Sequence, residues 1–161
     1  MEFTFLNNLP GELATFIIAM MPVAEVRVSV PVALEVYDMT IGSTLFWSLA
    51  GSYTIAFLLI NLISPISQYL SEKSAFFKKF FDWLFERTRN KFYNKYHKFG
   101  DIALVLFVAI PLPTTGVWTG AIAAWLFGIP KKKAFGLIAL GALISVIIVS
   151  LITLGIFKFI F

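Results

Sequence analysis

Two apolar runs in this chain stop halfway. Residues 13–21, LATFIIAMM, reach Pro22 after nine residues, and residues 102–110, IALVLFVAI, reach PLPTTG (111–116) after nine more. A hydrocarbon core of about 30 Å needs roughly 20 helical residues, and nine of them cover about 14 Å. A proline then removes a backbone N–H from the ladder. Each run belongs to a longer apolar stretch, 13–37 or 102–129, that resumes beyond its prolines. Each stretch is therefore expected to form two half-helices meeting at a broken tip.

Two other stretches, 41–63 and 134–157, carry about 23 residues each without interruption and are expected to span a membrane as helices. Composition agrees. Of 161 residues 59% are apolar and only 14% charged, with 18 phenylalanines, the balance of an integral membrane protein. The absence of cysteine excludes disulfides, thiolate metal sites and cysteine nucleophiles. The first cation is Arg27, and Glu2 and Glu12 precede it, so no secretory signal peptide is expected.

The halves of the chain repeat. A shift of 89 lays Gly11-Glu12 on Gly100-Asp101, Ala14 on Ala103, Pro22 on Pro111 and Val28 on Val117, and a shift of 90 lays Gly51 on Gly141. Between the halves, residues 66–100 hold eight Lys/Arg against three acids, which places this segment in the cytoplasm by the positive-inside rule. Lys131, Lys132 and Lys133 obey the same rule only if the third stretch turns back at PLPTTG. The expected fold is all-α, a single membrane domain of two inverted repeats (about 11–63 and 101–157). Each repeat is a re-entrant helical hairpin followed by a transmembrane helix, and an amphipathic basic connector (about 66–100) joins them in a cytoplasmic-membrane protein. Four simple crossings with parallel repeats are the alternative.

Broken backbone at membrane depth is tolerated where it is buried in protein or lines a polar cavity, so Pro22 and Pro31, and Pro111, Pro113 and Gly116, mark the two tips. Glu25 and Arg27 sit at the first. Charges near the bilayer centre cost at least about 2.5–3.5 kcal/mol and usually pair or face a cavity. Two positions apart, they cannot meet along a regular helix, although an irregular tip could join them. One reading is an ion pair that holds the repeats together. The other makes Arg27 an anion binder and Glu25 a proton-linked carboxylate. At the second tip Thr114 and Thr115 offer hydroxyl ligands to an ion or polar head, or else cap the half-helix beginning near Gly116. Gly116, Gly120, Ala124 and Gly128 form a small-residue stripe suited to close packing.

In the connector Phe77, Phe81, Leu84, Phe92, Tyr96 and Phe99 fall near helical spacing, with Lys78, Lys79, Arg87 and Arg89 on other faces. This suits a helix lying on anionic lipid and not nucleic acid, which would leave the aromatics exposed. Glu35 and Asp38 are expected at the outer surface. His97 has no metal-ligand spacing, and no nucleotide loop or nucleophile arrangement occurs, so neither an enzyme nor a cofactor or metal site is expected.

PVAEVRVSVPVALE (22–35) with FVAIPLPTTGVWTGAIAAWLFGIP (107–130) resembles the small multi-drug export protein family, and the likeness covers nearly the whole chain. That family is distantly similar to the DedA or SNARE-associated superfamily, whose paired re-entrant hairpins serve proton-coupled transport and polyprenyl-phosphate flipping. The resemblance implies a small transporter exporting amphipathic compounds, ion- or proton-coupled, with a midplane site between the tips. A flippase or scramblase for a phosphate-bearing lipid is the alternative it implies. The arginine-rich second hairpin of DedA proteins is missing here, which leaves Arg27 alone to recognise phosphate. A non-transporting membrane scaffold is the third reading. Membrane lipids and the substrate are the expected partners, and two such small units could pair as a homodimer.

Overall fold

A computed structural model describes residues 9–112 and 115–160, without the side chains of residues 81, 84, 85, 87–99 and 156–160. The described residues are all-helical: α1 (Gly11–Met20), α2 (Glu25–Glu35), α3 (Ile41–Lys73), α4 (Ala75–Ala109), α5 (Val117–Leu126) and α6 (Lys131–Ile160). Two of them are long and apolar enough to cross a membrane, α3 and the Lys131–Gly155 part of α6.

The breaks follow from local chemistry. A residue before proline is pushed toward extended backbone. Met21 (φ −72°, ψ 141°) before Pro22 ends α1, and Ile110 (φ −75°, ψ 118°) before Pro111 ends α4 in the same way. Thr40 starts α3, its hydroxyl accepting from the Ser43 N–H at 3.4 Å. Gly128 ends α5 at φ 66°, with its N–H on the Trp125 carbonyl (3.0 Å) and the Ile129 N–H on that of Ala124 (2.9 Å). This paired closure favours glycine at the left-handed position. Gly128 thus closes a turn, while Gly116, Gly120 and Ala124 of the same stripe are buried.

Two expectations need correction. Pro31 lies inside α2, away from the break at 21–24. Its ring costs one ladder bond, to the Arg27 carbonyl, but does not stop a helix packed on both α3 and α6. The connector is also no separate element. α3 continues through Pro65 to Lys73, and after a single extended residue, Ser74 (φ −147°, ψ 124°), α4 runs unbroken from Ala75 into the third apolar stretch. Gly100 is the one glycine on that path, and it costs only about 1 kcal/mol in a helix. Phe76, Phe77, Phe80 and Trp83 are exposed along α4, beside exposed Lys78 and Lys79. The side chains of Phe81, Leu84, Arg87, Arg89, Phe92, Tyr96, His97 and Phe99 lie outside the described residues.

α1 packs on α2 and α4 on α5. A Cβ on Gly11, at the start of α1, would meet the Tyr37 Cβ at 2.9 Å, just beyond α2. Lys133 at the start of α6 pairs with Asp101 at 2.6 Å, where the apolar half of α4 begins. α3 and α6 run antiparallel: Tyr53 donates to the Ala139 carbonyl (3.3 Å), and Lys131 reaches Asn61 (3.5 Å). Two close approaches fix α3 against α1 and α6 against α4. A Cβ on Gly51 would strike the Phe16 carbonyl and lie 2.8 Å from the Ala19 Cβ. One on Gly141 would lie 2.8 Å from the Val105 carbonyl and 2.7 Å from the Val108 Cβ.

The core joins Ile55, Ala56 and Ile60 to Leu104, Val108, Val117, Ala121 and Ile138, and a second cluster joins Val26 and Val30 to Val146 and Val149. Outside stand Phe46, Phe57, Ile102 and Leu151, while Ser29, Thr44, Ser48, Ser52 and Ser145 are buried. Large apolar side chains outward with hydroxyls inward is the distribution of a protein solvated by lipid tails. This is a membrane protein. Gly51→Ala is expected to lower its stability in detergent by about 1–3 kcal/mol, because the backbone of α1 leaves no room for a methyl. Gly136→Ala, with open space around it, should leave thermal unfolding unchanged; equal melting of both variants would contradict the close approach.

Candidate functional site

The two breaks meet. Met20 ends α1, so its carbonyl lacks a helical partner and accepts from the Trp118 indole Nε1 at 3.0 Å. Opposite, α5 begins at Gly116 with no side-chain cap of its own. The cap comes from the other break: Glu25 Oε1 accepts from the Trp118 backbone N–H at 3.3 Å. A carboxylate at a helix N-terminus meets the exposed N–H groups and the positive end of the helix dipole.

Two backbone conformations make this contact. Glu25 has φ 44°, in the left-handed region that a side chain enters only under constraint. Gly116 has φ 139° and ψ −165°, a combination essentially reserved for glycine. A Cβ there would fall on the Glu25 carboxylate itself.

Arg27 completes the junction. Its Nη2 donates to the Thr115 carbonyl and stands 3.8 Å from Glu25 Oε2. The irregular start of α2 thus brings together two charges that a regular helix would hold apart. The Glu25 side chain is 5% exposed and that of Arg27 18%, so both are largely out of solvent. The Arg27 Nε is buried and donates to nothing within the described residues.

Thr115 contributes its backbone. Its hydroxyl donates to the Ile110 carbonyl (2.6 Å) and accepts from the Leu112 N–H (3.1 Å), closing the turn after Pro111 without capping α5. Pro113 and Thr114 lie outside the described residues. Pro22 is exposed in the first break, Pro111 is half-buried in the second, and Pro31 stands within α2. Glu35 and Asp38 are exposed. Among the described residues no three His, Cys, Asp or Glu side chains gather as a metal site would require.

Sequence reasoning passed over Trp118, which gives both of its N–H groups to the first break, the indole to the end of α1 and the backbone to Glu25. The signal was present, since an indole in an apolar helix still needs an acceptor.

The family described as "Putative small multi-drug export protein" matches residues 25–148. The chain belongs to this family. The match opens on Glu25 and takes in Arg27, Thr115, Gly116 and Trp118, so that both sides of the junction lie within the small multi-drug export region. Met20 and the rest of α1 lie before it. No curated protein and no solved structure matches the chain.

Proposed function

We propose that the chain is a small transporter of the cytoplasmic membrane that exports small amphipathic compounds, coupled to ions or protons, through a site at the meeting of its two breaks. The observation that carries this reading is the Glu25–Arg27 pair of one break held against the Thr115–Trp118 backbone of the other. A protonated Glu25 carboxyl would weaken both its hold on the α5 N-terminus and its pairing with Arg27. A proton could then release one half of the molecule from the other, which is what alternating access between two repeats requires.

Within this reading α1–α2 and α4–α5 are re-entrant hairpins in inverted repeats. The proximity of Gly11 to Tyr37 and of Asp101 to Lys133 supports hairpins that return to their own side. The two close approaches support the symmetry. Phe16 and Val105 stand 89 positions apart, as do Ala19 and Val108, and their respective partners Gly51 and Gly141 stand 90 apart on antiparallel helices. Residues 66–100 and Lys131–Lys133 face the cytoplasm, with α4 near the lipid head groups. In a chain without native cysteines, a single cysteine at Lys132 should react only from the cytoplasmic side; labelling only from outside would sink the hairpin reading.

A second reading, flipping of a phosphate-bearing lipid, is favoured by one observation, the buried Arg27 Nε without an acceptor. Purified protein in proteoliposomes under an imposed pH gradient separates these, with a cationic dye and a fluorescent polyprenyl-phosphate analogue followed in parallel. Dye flux that follows the gradient and fails in Glu25→Gln supports export. Lipid translocation lost in Arg27→Ala supports flipping. Movement of neither by folded protein would leave a scaffold, with the pair a structural tie.

A further inference from the structure

The bundle carries a row of buried hydroxyls where α2 meets α3. Thr44, Ser48 and Ser52 occupy successive turns of α3, and each is 0% exposed. Ser29 on α2 is as deeply buried, and its hydroxyl lies 3.0 Å from that of Ser48. Ser29 stands one turn beyond Glu25 on the same face of α2. The short connection from Glu35 to Ile41 makes α2 and α3 antiparallel neighbours. With Ser29 against Ser48, a turn back along α2 brings Ser52 to the level of Glu25, and a turn forward points to Thr44 and the exposed Thr40 end.

Two of these hydroxyls are unpartnered. Buried hydroxyls in helices commonly bond the carbonyl four residues back, as Thr15 does to Gly11 (2.7 Å) and Thr153 to Val149 (2.9 Å). Within the described residues Thr44 and Ser52 have no partner, as is also true of Ser150 on α6. An orphaned buried hydroxyl is costly, and native structures usually keep one for a reason. Packing does not demand it here. The offset of 90 that relates Gly51 to Gly141 relates Thr44, Ser48 and Ser52 to Ala134, Ile138 and Ala142, which are just as buried (2%, 0% and 1%) and carry no hydroxyl.

We infer that Ser52, Ser48, Ser29 and Thr44 form a water-bridged proton path joining Glu25 to the aqueous phase at the Thr40 end, with no counterpart among the described residues toward the Lys131 end. Successive turns are about 6 Å apart along the axis, a gap that one water molecule bridges. Each hydroxyl can donate one proton and accept another. In every hop an oxygen passes a proton forward and takes one from behind, so each relay group ends neutral and the proton lost by the bulk is gained by the Glu25 carboxylate. Glu25 is faced by Arg27 from its own helix and by the Trp118 backbone from α5; among the described residues no other charged side chain pairs with it. The inference rests on Glu25 as the coupling carboxylate.

The test is proton movement into proteoliposomes loaded with a pH-sensitive dye under an imposed gradient, comparing wild type, Glu25→Gln and the double variant Ser48→Ala/Ser52→Ala. Thermal unfolding of each in detergent accompanies it. The double variant, in which Ser29 loses its Ser48 partner, should melt a few degrees lower but still unfold as one folded species, yet move protons roughly tenfold more slowly or worse, as for a lost relay group, while Glu25→Gln stops movement. Wild-type rates in a folded double variant, with Glu25→Gln inactive, would overturn the path and leave Glu25 in its role. Wild-type rates in Glu25→Gln, or no movement by the wild type, would overturn the role of Glu25 and the path with it.

Discussion

Gly116→Ala is expected to be the most damaging single-methyl change in this protein. The φ of 139° and ψ of −165° at that position are denied to a residue with a Cβ, a strain of about 1–3 kcal/mol. The methyl would also land on the Glu25 carboxylate, and overpacking of this kind costs about 1–3 kcal/mol more. Against a total stability of about 5–15 kcal/mol, a large share of the fold is lost. Thermal unfolding in detergent should show a clear drop or no folded peak. Removing the Glu25 side chain relieves the clash but not the backbone strain, so Gly116→Ala in a Glu25→Ala background should cost less than in wild type. Equal costs in both backgrounds would mean that the carboxylate does not fill the space beside Gly116.

Glu25→Gln should act on flux and spare the fold. The glutamine carbonyl can keep the Trp118 N–H at the position Glu25 Oε1 now holds, so the cap on α5 survives. What disappears is the negative charge, worth about 0.3–1 kcal/mol at a helix N-terminus, and the partner of Arg27. Melting should shift by no more than a few degrees, while gradient-driven dye flux falls by at least about tenfold, or ~1.4 kcal/mol. Glu25→Ala removes the acceptor as well and should lower both. Unchanged flux in the glutamine variant would mean that the carboxylate serves only as a cap, and the scaffold reading would gain.

Both breaks were legible because the rule behind them is local. Met21 and Ile110 precede prolines, and no tertiary contact is needed to foresee extended backbone there. Pro31 misled because proline weakens a helix without fixing where it stops, and α2 is held from outside by Val26 and Val30 packing on Val146 and Val149. α4 crosses residue 100 unbroken for a related reason: a change from basic to apolar residues changes a helix's surroundings and not its backbone. Glu25 and Arg27 stood out because charges in an apolar run demand partners. Their partners were invisible, being backbone groups of Thr115 and Trp118 some 90 residues away. The hydroxyl row was readable in principle, since positions 44, 48 and 52 share one helical face. It drew no attention because isolated serines in an apolar helix ordinarily satisfy themselves on the preceding turn.

The meeting of the breaks also fixes the sign of the field there. α1 and α4 end at the breaks while α2 and α5 begin there, so two negative and two positive helix ends, each of about half a charge, come together. These ends cancel to first order. The remaining balance belongs to one carboxylate and one guanidinium, which sum to zero when both are ionised and to a single positive charge when Glu25 carries a proton. A solute would therefore meet a junction that is electrically silent in one protonation state and repels cations in the other. In the export reading proposed above, such an alternation would let a cationic solute enter the first state and be expelled from the second.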